Sequence, residues 1–207
     1  MIHPPPAAVI GRGGMKMGKG RLEAFTDGVI AIIITIMVLE IKAPPGTSLA
    51  ALESISPIFL AYAFSFVNVG IFWNNHHHML HASTRVDGQV LWANLFMLFW
   101  LSLIPFVIRW LDETGVEPLP TASYGVVLAM AAVGYTWLRA ALVACNGPDS
   151  ALAKAVGRDL KGILSLASYV AAVPLAYLSP WIAIAIYVGN AGAWLVPDRR
   201  IESLESR

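Results

Sequence analysis

Charged residues are scarce in this chain of 207 residues. Only 13% are Asp, Glu, Lys or Arg, whereas soluble domains carry about 25%. Hydrophobic residues make up 57% of the chain. So little polar surface cannot cover a water-soluble globule of this size, and so apolar a chain does not stay disordered. The composition therefore predicts an integral membrane protein.

Cysteine, charge of one sign and enzyme signatures are also lacking. Cys145 is the single cysteine, which excludes an intramolecular disulfide and a CxxC metal site. The net charge is only +1, so we expect no nucleic-acid partner. The sequence contains no GxSxG, Walker A or GxGxxG motif and no TVGYG filter. We therefore expect no enzyme activity, no cofactor and no resident metal. We also expect no potassium channel of the usual filter type.

Six apolar runs fill the chain. The first spans roughly 28 Å as a helix, about one hydrocarbon thickness. It carries Asp27 and Glu40 and no cleavage site, unlike a signal peptide. None of the runs alternates with period two, as a β-barrel strand would. The sequence predicts an all-α integral membrane protein with six transmembrane helices, at about 23–41, 52–73, 89–110, 123–144, 163–178 and 179–196.

The distribution of lysine and arginine predicts the orientation. With six spans, both termini lie on one side. That side carries eleven basic residues: Arg12, Lys16, Lys19, Arg21, Arg85, Lys154, Arg158, Lys161, Arg199, Arg200 and Arg207. The opposite side carries two, Lys42 and Arg109. The positive-inside rule then makes both termini cytoplasmic. We expect residues 1–20 to be a disordered tail, 21–200 to be the membrane domain and 201–207 to be a C-terminal tail.

Asp27 and Glu40 are acidic residues that lie within or near the first apolar run. Asp27 lies about 140° around the helix from Ile32, whereas Glu40 lies about 40° from Ile36. Charges at bilayer depth are functional candidates. Two interpretations of Asp27 stay open: a hydrogen-bonded assembly contact and a protonatable gate element. Glu40 is either a simple interfacial carboxylate or part of a functional site.

The first helix also carries an aliphatic series at spacing i, i+4 and i+7: Ile32, Ile36 and Leu39. Such a series favours close packing, including packing against copies of the same helix. The helix is apolar nearly all round. Periodicity alone therefore does not choose between a core and a pore.

A histidine cluster, NNHHHMLH, ends the second apolar run at residues 74–81. His77 and His81 have the i, i+4 spacing that could place both on one metal. However, no HExxH is present, and no nearby cysteine or acid completes a local site. The alternative is that one or two of these imidazoles bond to Asp27 or to amides of the third helix.

Several motifs resemble those of one membrane-protein family. Residues 21–27, RLEAFTD, resemble the RxxxFSD signature of the transmembrane protein 175 family, potassium channels that lack a P-loop filter. Further similarities are GIFWNNHH at 70–77, RVD at 85–87 with LWANL at 91–95 and LIPF at 103–106, and WLVPDRR at 194–200. The chain departs from the family at Thr26, where serine is usual, and at Arg109-Trp110, where small residues are common.

The resemblance implies a homotetramer in which helix one of each subunit lines a central pore. It would lie in the plasma (inner) membrane of a prokaryote, in contact with lipid. Carried over by position, Ile32, Ile36 and Leu39 would be hydrophobic constrictions, with Thr35 hydroxyls beside them and Glu40 at the outer mouth. A structural or gating network would contain Arg21, Phe25, Thr26, Asp27, His76, His77 and Asn94.

The implied function is passive, moderately selective conduction of K⁺, with other monovalent cations as possible permeant ions. One alternative is a proton-coupled secondary transporter that uses Asp27 and the helix-two histidines. The absence of an inverted sequence repeat counts against it. Another is a membrane metalloenzyme built on His76, His77, His78 and His81.

Overall fold

The computed structural model describes residues 18–157 and 159–195, apart from the side chains of 155 and 156. All regular secondary structure within these residues is α-helical. Its elements are α1 (Lys19–Leu39), α2 (Leu49–Ser54), α3 (Ser56–His81), α4 (Gly88–Leu101), α5 (Ile104–Thr114), α6 (Pro118–Asn146), α7 (Ala151–Val156), α8 (Leu160–Leu178) and α9 (Pro180–Leu195).

Five segments are long and apolar enough to cross a membrane: α1, α3, α4 with α5, α6, and α8. The sixth run forms α9, an apolar helix of 16 residues. The predicted all-α, multi-pass membrane class is confirmed, whereas the count of six spans stays a prediction. Most of the predicted tails at 1–20 and 201–207 lie outside the described residues, as does Arg158. Helix α1 begins at Lys19.

Side-chain caps start several helices. Asp87 accepts a hydrogen bond from the Val90 N–H at 3.0 Å and opens α4. Asp159 accepts one from the Gly162 N–H at 2.7 Å and opens α8. Such caps satisfy backbone donors that have no partner inside the helix. These short-range signals fix where the helices begin on the side that holds both the α3–α4 and α7–α8 connections.

The third apolar run is not the single helix predicted at 89–110. Helix α4 ends at Leu101, and α5 begins at Ile104. Pro105 has no N–H to donate to the Leu101 carbonyl, and its ring would collide with that carbonyl in a continuous helix. The chain tightens instead, and the Leu103 N–H bonds to the Trp100 carbonyl at 3.2 Å. The second run also differs from the prediction, because α3 continues to His81 and so contains the histidine cluster.

Helix α6 lies at the centre of the bundle and packs most extensively against α4 and α8. Gly134 permits the close approach of α4, since a Cβ there would lie 2.8 Å from the Met97 Cα. Helix α1 packs against α3, α4 and α5. It buries one face, formed by Leu22, Thr26, Ile30, Ile33 and Met37. A further side, which carries Ile32, Ile36 and Leu39, is exposed on the subunit.

Candidate functional site on the first helix

The aliphatic series of α1 lies on the exposed face of the subunit. Ile32 is 58% exposed, Ile36 41% and Leu39 79%. On the buried face of α1, Ile33 is 3% exposed and Met37 is fully buried. The series is therefore not part of the core of its own subunit. We call this surface, with Thr35, the aliphatic face.

Thr35 places a hydroxyl on the aliphatic face. Its Oγ1 lies 3.0 Å from the Ala31 carbonyl and 2.9 Å from the Ile32 carbonyl, both one turn back. The single hydroxyl hydrogen is directed to these backbone acceptors, so the oxygen lone pairs remain available. An oxygen of this kind can accept a hydrogen bond from water or contact a cation.

A buried hydrogen-bond chain fixes the other side of α1. Thr26, His76 and Asn94 have no exposed surface. The Asn94 Nδ2 donates to the Thr26 Oγ1 at 2.9 Å. The Asn94 Oδ1 can then only accept, so the His76 Nε2 donates to it at 3.0 Å. Because the three residues belong to α1, α3 and α4, the chain fastens those helices together.

A second set of contacts joins α1 to α3 at the surface. Three residues of α1 spaced one turn apart face three residues of α3 spaced one turn apart: Lys19, Glu23 and Asp27 opposite His81, His77 and Trp73. The spacing is i, i+4 on both helices. The helices run antiparallel, so the three pairs lie side by side. We call these six residues the polar ladder.

Each step of the polar ladder has a defined contact. The Lys19 ammonium donates to the His81 carbonyl at 3.2 Å. The His77 Nδ1 lies 3.2 Å from the Glu23 Oε1. The third step is the Trp73 indole N–H, which donates to the Asp27 Oδ1 at 2.8 Å.

The rings that α3 contributes to the polar ladder also contact one another. The Trp73 and His77 rings stack at 5.9 Å and 26°. The His77 and His81 rings stack at 6.1 Å and 23°. Stacking restricts the rotamers of the rings and so helps to hold the partners of Glu23 and Asp27 in position.

The predicted network is thus divided into two parts. Thr26, His76 and Asn94 come together. The expected partners of Asp27 were a histidine, Asn94 or Arg21, but Asp27 bonds to Trp73 instead. His77 pairs with Glu23, which sequence reasoning did not include. Trp73 was not among the predicted network residues either. The matching four-residue spacing on two antiparallel helices was a signal that could have identified both partners.

The remaining predicted residues lie away from these contacts. Arg21 is exposed, and within the described residues it adds no hydrogen bond to the polar ladder or the buried chain. Phe25 is also exposed. His81 belongs to the ladder. Among the described residues, no group of three or more His, Cys, Asp or Glu side chains is placed to hold a metal ion. The structure thus gives the metalloenzyme hypothesis no support.

Glu40, expected at an outer mouth, is paired. The Arg109 Nη1 lies 3.5 Å from the Glu40 Oε2. The Arg109 Nε donates to the Glu113 Oε1 at 3.0 Å. Two carboxylates therefore share one guanidinium, which leaves a formal charge of −1 on the cluster. Arg139, a basic residue within α6, reaches a backbone carbonyl beyond the end of α7.

The fold and site define a multi-pass helical membrane protein. Its first helix presents an exposed aliphatic face and is held to its own subunit on another side by polar contacts.

The family model "Endosomal/lysosomal potassium channel TMEM175" matches residues 21–105. The chain is 50% identical over 186 residues to a potassium channel of Chryseobacterium sp., covering 90% of this chain and 97% of that one. The chain belongs to the TMEM175 family.

Two further comparisons agree. A potassium channel of Streptomyces collinus is 35% identical over 125 residues, covering 56% of this chain and 61% of that one. The crystal structure of a lysosomal potassium-selective channel TMEM175 homolog from Chamaesiphon minutus superposes with a TM-score of 0.72 at 25% identity. That match covers 86% of this chain and 96% of the other. The resemblance found in the sequence motifs is thereby confirmed.

Proposed function

We propose that this protein is a passive, moderately selective potassium channel. The bacterial relatives named above are called potassium channels, and one of them matches nearly the whole chain. The similar solved structure is described as potassium-selective. Other monovalent cations pass less readily, and no coupled substrate is needed.

The aliphatic face of α1 is the observation that carries the proposal. Ile32, Ile36 and Leu39 are exposed on one subunit while the opposite face of α1 is buried. In a homotetramer, four copies of α1 surround a central axis and direct these side chains toward it. The three layers then form hydrophobic constrictions along the pore.

The mechanism follows from the chemistry of those layers. An aliphatic ring offers no oxygen to replace the hydration shell of an ion, so a narrow ring dewets and blocks conduction. The channel opens when α1 moves outward and the ring admits hydrated or partly hydrated K⁺. Selectivity then rests on the easier dehydration of K⁺ relative to Na⁺ and on the dipole of the Thr35 hydroxyl. It is weaker than in a cage of backbone carbonyls.

The polar ladder and the buried chain hold the outer side of α1 in this scheme. Arg21 and Phe25 stand beside them at the cytoplasmic end. The excess of basic residues on one side supports cytoplasmic termini, and the bacterial relatives support the inner membrane of a prokaryote as the location. Lipid surrounds the outer helices, and the four subunits are copies of this chain.

The test is current recording from purified protein in planar bilayers under K⁺/Na⁺ bi-ionic conditions. We expect a reversal potential that favours K⁺ and current that needs no coupled proton gradient. Ile32→Asn should raise conductance and lower selectivity, because an amide wets the constriction. Ile163→Asn is the matched control, since Ile163 is also 58% exposed but lies on α8.

Unchanged conductance and selectivity in Ile32→Asn would remove α1 from the ion path. Equal effects of Ile32→Asn and Ile163→Asn would mean that the change in conductance and selectivity is not specific to α1. Flux only in the presence of a proton gradient would favour the coupled transporter.

A further inference from the structure

Arg139 carries a charge within α6 and forms no ion pair with another side chain of the described residues. Its Nη1 donates to the Gly157 carbonyl at 3.3 Å, and its buried Nε has no partner. The ion pairs among the described residues do not include it. Asp159, in the same connection, uses its carboxylate to cap α8. Unpaired charge at membrane depth is unfavourable and calls for a counter-charge.

The depth of Arg139 matches the phosphate level of a bilayer. Helix α6 has 29 residues, or roughly 43 Å at 1.5 Å per residue, which spans a bilayer of about 40–45 Å including headgroups. Arg139 lies seven residues before the last residue of α6, Asn146, or roughly 10 Å along the axis. A guanidinium at that depth reaches the boundary between hydrocarbon and headgroups.

Arg139 opens onto a groove between α6 and α7. The groove has a volume of about 350 Å³. Apart from Arg139, its walls are small or apolar: Ala140, Val143, Ala144, Ala153 and Gly157. The exposed Lys154 follows a wall residue directly. One cation above an apolar wall, with a second cation at the rim, complements a ligand that has a negative head and an apolar body.

We propose that this groove binds the headgroup of an anionic phospholipid from the cytoplasmic leaflet. The phosphodiester receives N–H donors of Arg139, including the otherwise unpartnered Nε. The glycerol and upper acyl carbons lie against Ala140 and Val143. A guanidinium presents paired donors that match two phosphate oxygens. Basic pockets between helices on the cytoplasmic side are typical sites for such lipids. This inference rests on the proposed orientation but not on ion selectivity.

The test is thermal unfolding of the purified protein in a non-ionic detergent, with added phosphatidylglycerol, phosphatidylcholine or inorganic phosphate. We expect saturating phosphatidylglycerol to raise Tm by roughly 5 °C and the other two additives to do much less. Arg139→Gln should lose most of that rise. Arg85→Gln, which removes an exposed charge from the α3–α4 connection on the same side, should keep it.

Native mass spectrometry measures lipid binding at the same site without relying on thermal stability. Wild type should retain phosphatidylglycerol, whereas Arg139→Gln should retain markedly less, and Arg139→Lys should be intermediate.

Three outcomes would overturn the proposal: an equal response to phosphatidylcholine, an equal loss in Arg85→Gln, or an equal response to inorganic phosphate alone. A change of oligomer size in Arg139→Gln at every lipid concentration would instead identify the groove as a subunit contact. If Arg139→Gln does not fold, Arg139→Lys decides between these outcomes.

Discussion

In the proposed pore, Arg109 would set how much of the Glu40 charge is available to a passing cation. It lies 3.5 Å from Glu40 and 3.0 Å from Glu113. The pairs are substantially exposed, so they add little to stability. Their effect should instead be electrostatic, because a mouth with net negative charge concentrates cations.

Arg109→Gln should therefore raise K⁺ conductance at low salt, and Glu40→Gln should lower it. Both effects should nearly vanish at high salt, since the screening length falls to about 3 Å at 1 M. Single-channel conductance at two KCl concentrations measures this. Lys42→Gln is the comparison variant, because it removes a nearby charge that forms no ion pair among the described residues. Effects of equal size at both salt levels would show that the cluster acts on the structure of the mouth.

Asp27 is a structural contact of the polar ladder. A charge-assisted hydrogen bond from Trp73 contributes about 1.5–3 kcal/mol when well sheltered, and less where solvent reaches it. We expect Asp27→Ala to lower Tm by about 3–6 °C and to reduce tetramer yield, with the K⁺ over Na⁺ selectivity little changed. Asp27→Asn should be milder, because the amide oxygen still accepts the indole N–H.

Trp73→Phe is the companion variant, since it keeps an aromatic ring but removes the donor. If Asp27 acts through this bond, Asp27→Ala combined with Trp73→Phe should destabilise little more than either change alone. Size-exclusion profiles, Tm and bi-ionic potentials provide the readouts. A normal tetramer with altered selectivity would place Asp27 in the ion path.

At the level of helices, the approach of α4 to α6 depends on Gly134. A Cβ at this position would lie 2.8 Å from the Met97 Cα, which is backbone and cannot rotate away. Gly134→Ala should therefore cost about 1–3 kcal/mol, which lowers Tm by several degrees. Thermal unfolding in detergent measures the change.

Gly189→Ala is the matched control for this effect. Gly189 is also within a helix, α9, but a Cβ there meets nothing within 4 Å. Because alanine favours helix over glycine, this variant should be neutral or slightly more stable. A similar loss in both variants would show that helix propensity or folding yield, and not the α4–α6 contact, is responsible.

The orientation of the whole molecule can be tested with the single cysteine. Cys145 lies near the end of α6 and is partly exposed. The proposed topology places it on the cytoplasmic side. A membrane-impermeant maleimide should therefore label it in inverted vesicles but not in intact cells.

The control replaces Cys145 with serine and adds Thr47→Cys, in the exposed connection between α1 and α2. That variant should give the reverse pattern. Labelling of Cys145 in intact cells would invert the topology. It would also move the proposed lipid site to the outer leaflet.

Family membership and the helical class could be predicted from the sequence, because both depend on local signals. Long apolar runs require helices in a bilayer, and the motifs around Asp27 and His76 identify the family. The break between α4 and α5 was also present in the sequence, as Pro105, but an uninterrupted apolar run concealed it. The excess of basic residues on one side predicts an orientation for the same local reason.

Tertiary structure decided which neighbour each polar residue of α1 meets. The sequence places Asp27 near several donors at the cytoplasmic ends of two helices, but the antiparallel register of α1 and α3 selects Trp73. Likewise, Ile32 and Ile33 are both aliphatic, yet the packing of α3, α4 and α5 buries one and exposes the other. A helix that is apolar all round carries no periodic signal for its buried face, so only the arrangement of its neighbours determines which side stays exposed.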